Sequence, residues 1–168
     1  MCLLTEDKSC KVADAPIACY KVVIKRDGPG FLSDIYCFQY DLGEEPYKLA
    51  PLAEFPKNNP KWKDCQLMYI HEGFHSFKRL KDAREYCEPD NGAMPDDCGG
   101  SEVILKCEIP AGAHYWTGNR NLGTGGYAEF CSDQLRVVAW KMRDDNCWRK
   151  YEKNKNWKTC KNSKKPCV

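Results

Sequence analysis

The sequence predicts an α+β domain, with a compact, mostly antiparallel β core and one short helix. Three observations carry that reading. Several runs are rich in β-branched and aromatic residues, one stretch has helical spacing, and strands and helices do not alternate as they do in a parallel doubly wound sheet. The chain has 168 residues, enough for one domain with a sizeable core. Hydrophobic residues make up 42% and charged residues 30%, a balance that speaks against global disorder.

The elements follow in order. Residues 1–16 hold few apolar side chains, end in Ala13-Asp-Ala-Pro16, and read as a loose arm. Ile17–Ile24 is the first strand, stopped by the turn residues of Arg26-Asp-Gly-Pro-Gly30. Ile35–Tyr40 is a second extended run. Positions 46–64 contain four prolines and read as a long surface loop. Cys65–Ile70 is a short strand leading into a turn at Gly73-Phe-His-Ser-Phe77, where the Ser76 hydroxyl is placed to cap a helix. From Phe77 to Glu88, Leu80, Ala83 and Cys87 recur at helical spacing, and Pro89 ends the run. Val103–Ile109 is the clearest strand, and Pro110-Ala-Gly112 terminates it. His114–Trp116 extends or pairs with it. Tyr127–Cys131 and Gln134–Trp140 form a further strand pair after a glycine-rich segment. The domain reading is therefore an arm at 1–16, a core at 17–142 and a basic extension at 143–168.

The formal net charge of +2 gives no whole-chain field that would select nucleic acid or membrane. No apolar run approaches the roughly 18 residues of a membrane span, and the start lacks the pattern of a secretory signal. A complete precursor of this kind is expected in the cytoplasm; a mature form could be secreted. The twelve cysteines include no Cys-x-x-Cys pair, so zinc signatures are missing and no metal is expected. Cys19, Cys107 and Cys131 sit in apolar, strand-like runs, where reduced thiols act as small hydrophobes; a disulfide framework is the alternative.

The block Glu72-Gly-Phe-His-Ser-Phe77, the helix ending Ala83-Arg-Glu-Tyr-Cys87, the strand Val103–Ile109 and Glu129-Phe-Cys-Ser-Asp-Gln-Leu-Arg-Val-Val138 together resemble the later half of an ADP-ribosyltransferase domain. The poly-ADP-ribose polymerase branch has the same element order, with a Gly-x-Tyr-Phe strand end, a helical Ala-x-Tyr and a late strand opening on Glu. The block is also similar to small phage and bacterial proteins with a Gly-Phe-His signature, which imply no activity. The first resemblance implies an NAD cofactor, or a related nucleotide, and transfer or hydrolysis of ADP-ribose. Glu129 would be the catalytic carboxylate that orients the ribose and stabilises the oxocarbenium charge. Tyr86 would stack on the nicotinamide, with His75 in the place of the family's second aromatic. Lys21 would hold the adenosine ribose, where the family carries His or Arg.

Three further features suggest chemistry. Gly118-Asn-Arg-Asn-Leu-Gly-Thr-Gly-Gly126 offers backbone amides for a phosphate, with Arg120 and Thr124 as its polar contacts; a hairpin connection is the plainer reading. His71-Glu-Gly-Phe-His75 has the letters of a zinc-protease helix, but Gly73 and the extended run before it oppose a helix. From Arg143 to Val168, lysines alternate with Trp148 and Trp157, a composition suited to single-stranded nucleic acid; a solvated tail or terminal helix with Trp148 packed on the core is the plainer reading. A nucleotide-binding enzyme, a nucleotide-sequestering or interaction protein without catalysis, and a nucleic-acid binder are the functions in view.

Overall fold

The structure is a computed structural model, and it describes residues 3–5, 9–25, 30–33, 39–40, 46–48, 53–54, 68–70, 73–87, 100–119 and 126–150. The protein is β-rich and not a balanced α+β fold. One seven-residue helix, α1 (Leu80–Tyr86), stands beside fourteen strands among the described residues. The sequence reading overweighted the helix because a helical run counts its apolar positions whatever its length. Here Arg79 is extended, and Cys87 already leaves helical geometry, its amide donating to the Ala83 and Glu85 carbonyls. About two turns are all that the run supports.

The long strands are β3 (Ile17–Lys25), β10 (Ser101–Ile109), β11 (His114–Asn119), β12 (Ala128–Ser132) and β13 (Gln134–Met142). Shorter ones are β1 (Leu3–Thr5), β2 (Lys11–Val12), β4 (Phe31–Leu32), β5 (Gln39–Tyr40), β6 (Tyr47–Lys48), β7 (Ala53–Glu54), β8 (Met68–Ile70), β9 (Phe74–Phe77) and β14 (Arg149–Lys150). They run β14-β13-β10-β3-β9-β12-β11-β1-β8-β7, and every pairing is antiparallel. Within 1–16, expected as a loose arm, the described residues include two paired strands: β1 lies between β11 and β8, and β2 pairs with β11. These short strands carry too few residues for a visible hydrophobic period.

Cross-strand neighbours share a sheet face, and successive residues alternate between faces. Along β3 and β10 this sorts the core into two. Cys19, Val23, Val103, Leu105, Cys107 and Ile109 line one face, joined by Phe31, Tyr40, Phe74 and Trp140. Val22 and Ile104 line the other, where α1 packs with Phe77, Ala83 and Cys87. A bulge between Lys106 and Cys107 shifts the register of β10 against β13. It turns the β13 alternation so that both Val137 and Trp140 reach the first face.

Within the Gly-Phe-His-Ser-Phe segment, expected as a turn, Phe74–Phe77 is the fully buried strand β9. Ser76 consequently does not cap α1. The residue at the cap position is Arg79, which makes no side-chain cap bond. Its guanidinium instead grips the buried Asp82 carboxylate with Nε and Nη2, both at 2.9 Å. A carboxylate in the first turn also suits the positive end of the helix. Between β10 and β11 the chain reverses at Gly112, whose φ of 81° favours glycine. The Ala113 amide donates to the Pro110 carbonyl across that turn at 3.2 Å.

Candidate functional site

Strands β3, β9 and β12 are neighbours, and one row crosses them: Tyr20 faces Phe77, Phe77 faces Glu129, and Glu129 faces Gly118. This row lies on the α1 side of the sheet. One step along the same face, His75 faces Cys131, with His75 Nε2 3.7 Å from Cys131 Sγ. Tyr86 comes down from α1 onto Phe77 at a centroid distance of 5.4 Å, and Tyr127 closes the group at 5.8 Å from Phe77 and 6.2 Å from Tyr86. The fold thus gathers Glu129, His75 and Tyr86 on one face, although 43 residues separate Tyr86 from Glu129 in the chain.

Lys21 does not join them. It alternates to the opposite face, across from Leu105, with its ammonium 5.6 Å from the Tyr40 ring centre. What Lys21 does reach is the backbone of the site, donating from Nζ to the His75 carbonyl oxygen at 2.8 Å. Arg120 and Thr124 lie outside the described residues, as do His71 and Glu72. His75 belongs to a strand, so the His-Glu-x-x-His letters do not form the continuous helix that a zinc protease needs. Among the described residues, no group of three or more His, Cys, Asp or Glu is arranged to hold a metal ion.

Glu129 has no exposed surface and His75 only 6%, while Tyr86 and Tyr127 are half-buried. The site as folded is therefore a half-buried aromatic cluster on the same face as a fully buried glutamate. A carboxylate removed from water acts on its surroundings through a low dielectric. Cys131 registers this: burial first pushes its thiol up to about 12, the Lys21 charge opposes the rise, and the Glu129 charge adds to it. Such a thiol stays protonated at neutral pH and is no nucleophile.

A second cluster lies at the C-terminal edge of the sheet. Trp148 stacks on Tyr20 at 6.2 Å and 30°, and the Lys141 ammonium sits 5.2 Å from the Trp148 ring. Lys141 Nζ donates to the Asp145 carbonyl at 3.0 Å, and Arg149 spans from the Trp140 ring, 4.4 Å away, to the Asp145 carboxylate at 2.6 Å. Burial draws Lys141 below the usual lysine range; Arg84 does the same, while Asp145 and Asp144 oppose it. These contacts fasten the start of the basic extension to β13. The remainder of the extension, from 151, lies outside the described residues. Trp148 packs on the core, as the sequence leads one to expect, but nothing in the sequence names Tyr20 and Lys141 as its partners.

Comparison with family models, curated proteins and solved structures gives no match in any of the three. None of them shows the likeness to ADP-ribosyltransferases expected from element order and short motifs. No helix among the described residues is long and apolar enough to cross a membrane.

Proposed function

We propose that the chain binds single-stranded nucleic acid through its C-terminal extension, held against the sheet by Trp148 and β14. The observation that carries this reading is a segregation of charge. Residues 143–168 hold nine Lys/Arg and three Asp/Glu, a net +6, whereas the other 142 residues hold seventeen and twenty-one, a net −4. A cationic segment on an otherwise acidic chain supports recognition of a polyanion, and Tyr151 and Trp157 within it supply rings on which bases stack. The anchor fixes residues 143–150, the start of the extension, to the folded body.

Fluorescence anisotropy with a labelled 20-nucleotide single strand tests this reading. Four to six phosphate contacts give a log–log salt slope of about −3 to −4 for a single strand. Reversing Lys153, Lys155, Lys158 and Lys161 to Glu should abolish binding, and Trp157→Ala should weaken it with little change of slope. Absence of binding at low salt would refute the reading.

The gathering of Glu129, His75 and Tyr86 supports a second reading, a site for NAD or a related nucleotide beneath α1, with or without transfer of ADP-ribose. It requires the packing around Glu129 to open, because Glu129 has no exposed surface. Thermal stabilisation by millimolar NAD or ADP-ribose, together with NAD turnover lost in Glu129→Gln, is its test.

A further inference from the structure

On the face of the sheet opposite α1, the surface of β2, β11, β12 and the end of β9 sets cations beside aromatic rings. Lys11 faces Tyr115 across β2 and β11, and Phe130 lies between Thr117 and Ser76. Tyr115 and Phe130 meet edge to face at 5.7 Å, and both remain half-buried rather than lost in the core. Lys78 follows β9; its backbone amide donates to the Ala128 carbonyl at 2.9 Å, and its ammonium stands 5.0 Å from the Phe130 ring centre. Lys11 comes from 67 residues away in the chain, yet its charge reaches Lys78. Burial first, and then the Lys11 ammonium, draw Lys78 below the usual lysine range.

Two like charges brought together over a desolvated aromatic surface repel each other, and an anion seated between them reverses the sign of that interaction. The rings narrow the choice of anion. A carboxylate-bearing peptide would use the ammonium groups and leave the rings idle, whereas a nucleotide unit uses both. We propose that this surface seats single-stranded nucleic acid, with a base against the Tyr115–Phe130 pair and its phosphate between Lys11 and Lys78. The inference deepens the nucleic-acid reading above by adding a base-contacting site on the folded sheet to the charged extension.

The test uses the full chain and a labelled oligothymidylate of fifteen nucleotides. Lys11→Glu and Lys78→Glu are each expected to lower affinity about five- to tenfold and to flatten the salt slope by about 0.7. Ultraviolet cross-linking should yield a peptide–nucleotide adduct at Tyr115 or Phe130. Lys11→Gln and Lys78→Gln, which lose one charge instead of reversing it, replace any Glu variant whose circular dichroism departs from the parent. Affinities within twofold of the parent, with adducts confined to 143–168, would overturn the sheet site and leave the extension as the binding element. Adducts at Tyr115 that persist when the extension is charge-reversed would support the sheet site on its own. Displacement of the oligonucleotide by polyglutamate at equal charge and equal potency would assign the surface to acidic proteins and overturn the proposal.

Discussion

Lys21 and His75 are 54 positions apart, and the Lys21 ammonium donates to the His75 backbone oxygen at 2.8 Å inside the sheet. The bond joins β3 to β9 where their register is thin, since Tyr20 opposite Phe77 is the one Cα pair between them. Lys21→Ala removes a charged hydrogen bond and leaves a cavity beneath Tyr40, and should cost about 3 kcal/mol. Lys21→Met keeps the volume and removes the buried charge, and should cost about 1 kcal/mol or less. Urea unfolding of both variants checks this; equal losses would show that the volume beneath Tyr40, and not the bond, matters.

The buried thiols make stability fall in alkali. Cys19, Cys87 and Cys131 are pushed from an ordinary 9.0 up to about 12, in each case chiefly by burial. In the unfolded chain these thiols ionise from about pH 9, while in the folded protein they hold their protons. Between those limits the unfolded state binds fewer protons, so stability present below pH 9 is lost as pH rises towards 12. The slope is about 1.4 kcal/mol per pH unit for each such thiol. Cys131→Ala should lower stability at pH 7 and make its fall between pH 9 and 11 shallower than in the parent. Guanidinium titrations at several pH values measure both effects, and parallel curves would contradict the linkage.

Asp133 holds the start of β11 with one carboxylate. Its Oδ1 accepts from the His114 backbone amide at 2.9 Å, and its Oδ2 lies 3.1 Å from His114 Nδ1. The His114 side chain is 55% exposed, so the imidazole contact is screened by water and contributes little. Asp133→Ala should therefore cost about 1–2 kcal/mol, and His114→Ala less than about 0.5 kcal/mol. Thermal denaturation of the two variants distinguishes them; a larger loss for His114→Ala would reverse the assignment.

Much of the sheet was legible in the sequence, and the reasons are local. Val103–Ile109 and Gln134–Trp140 carry β-branched residues in long enough runs to show themselves, and both are strands. Phe74–Phe77 was not legible as a strand. Buried on both faces, it shows no alternation, and Gly73 before it imitates a turn. The site was partly legible. Glu129, His75 and Tyr86 were selected from short motifs and do share a face, but no local pattern reveals that a glutamate will have zero exposure. Lys21 failed by parity. A one-residue step along β3 places a side chain on the other side of the sheet, and nothing in Cys19-Tyr-Lys21 states which side the helix will cover.

The place of β1 carries a consequence for how the protein is made. Leu3–Thr5 is hydrogen-bonded on one side to Met68–Ile70 and on the other to a strand that ends at Asn119, so both of its partners are made well after it. Within the described residues, β8 and β7 reach the rest of the sheet only through it. The seam can therefore close only after Asn119 has been translated, and β1 waits for partners not yet made. Such long-range pairing slows folding, because the entropy of closing a long loop is lost before any contact offsets it. The nascent chain thus carries an open strand edge until β11 is made, and chaperone demand should be greatest before its codons are read.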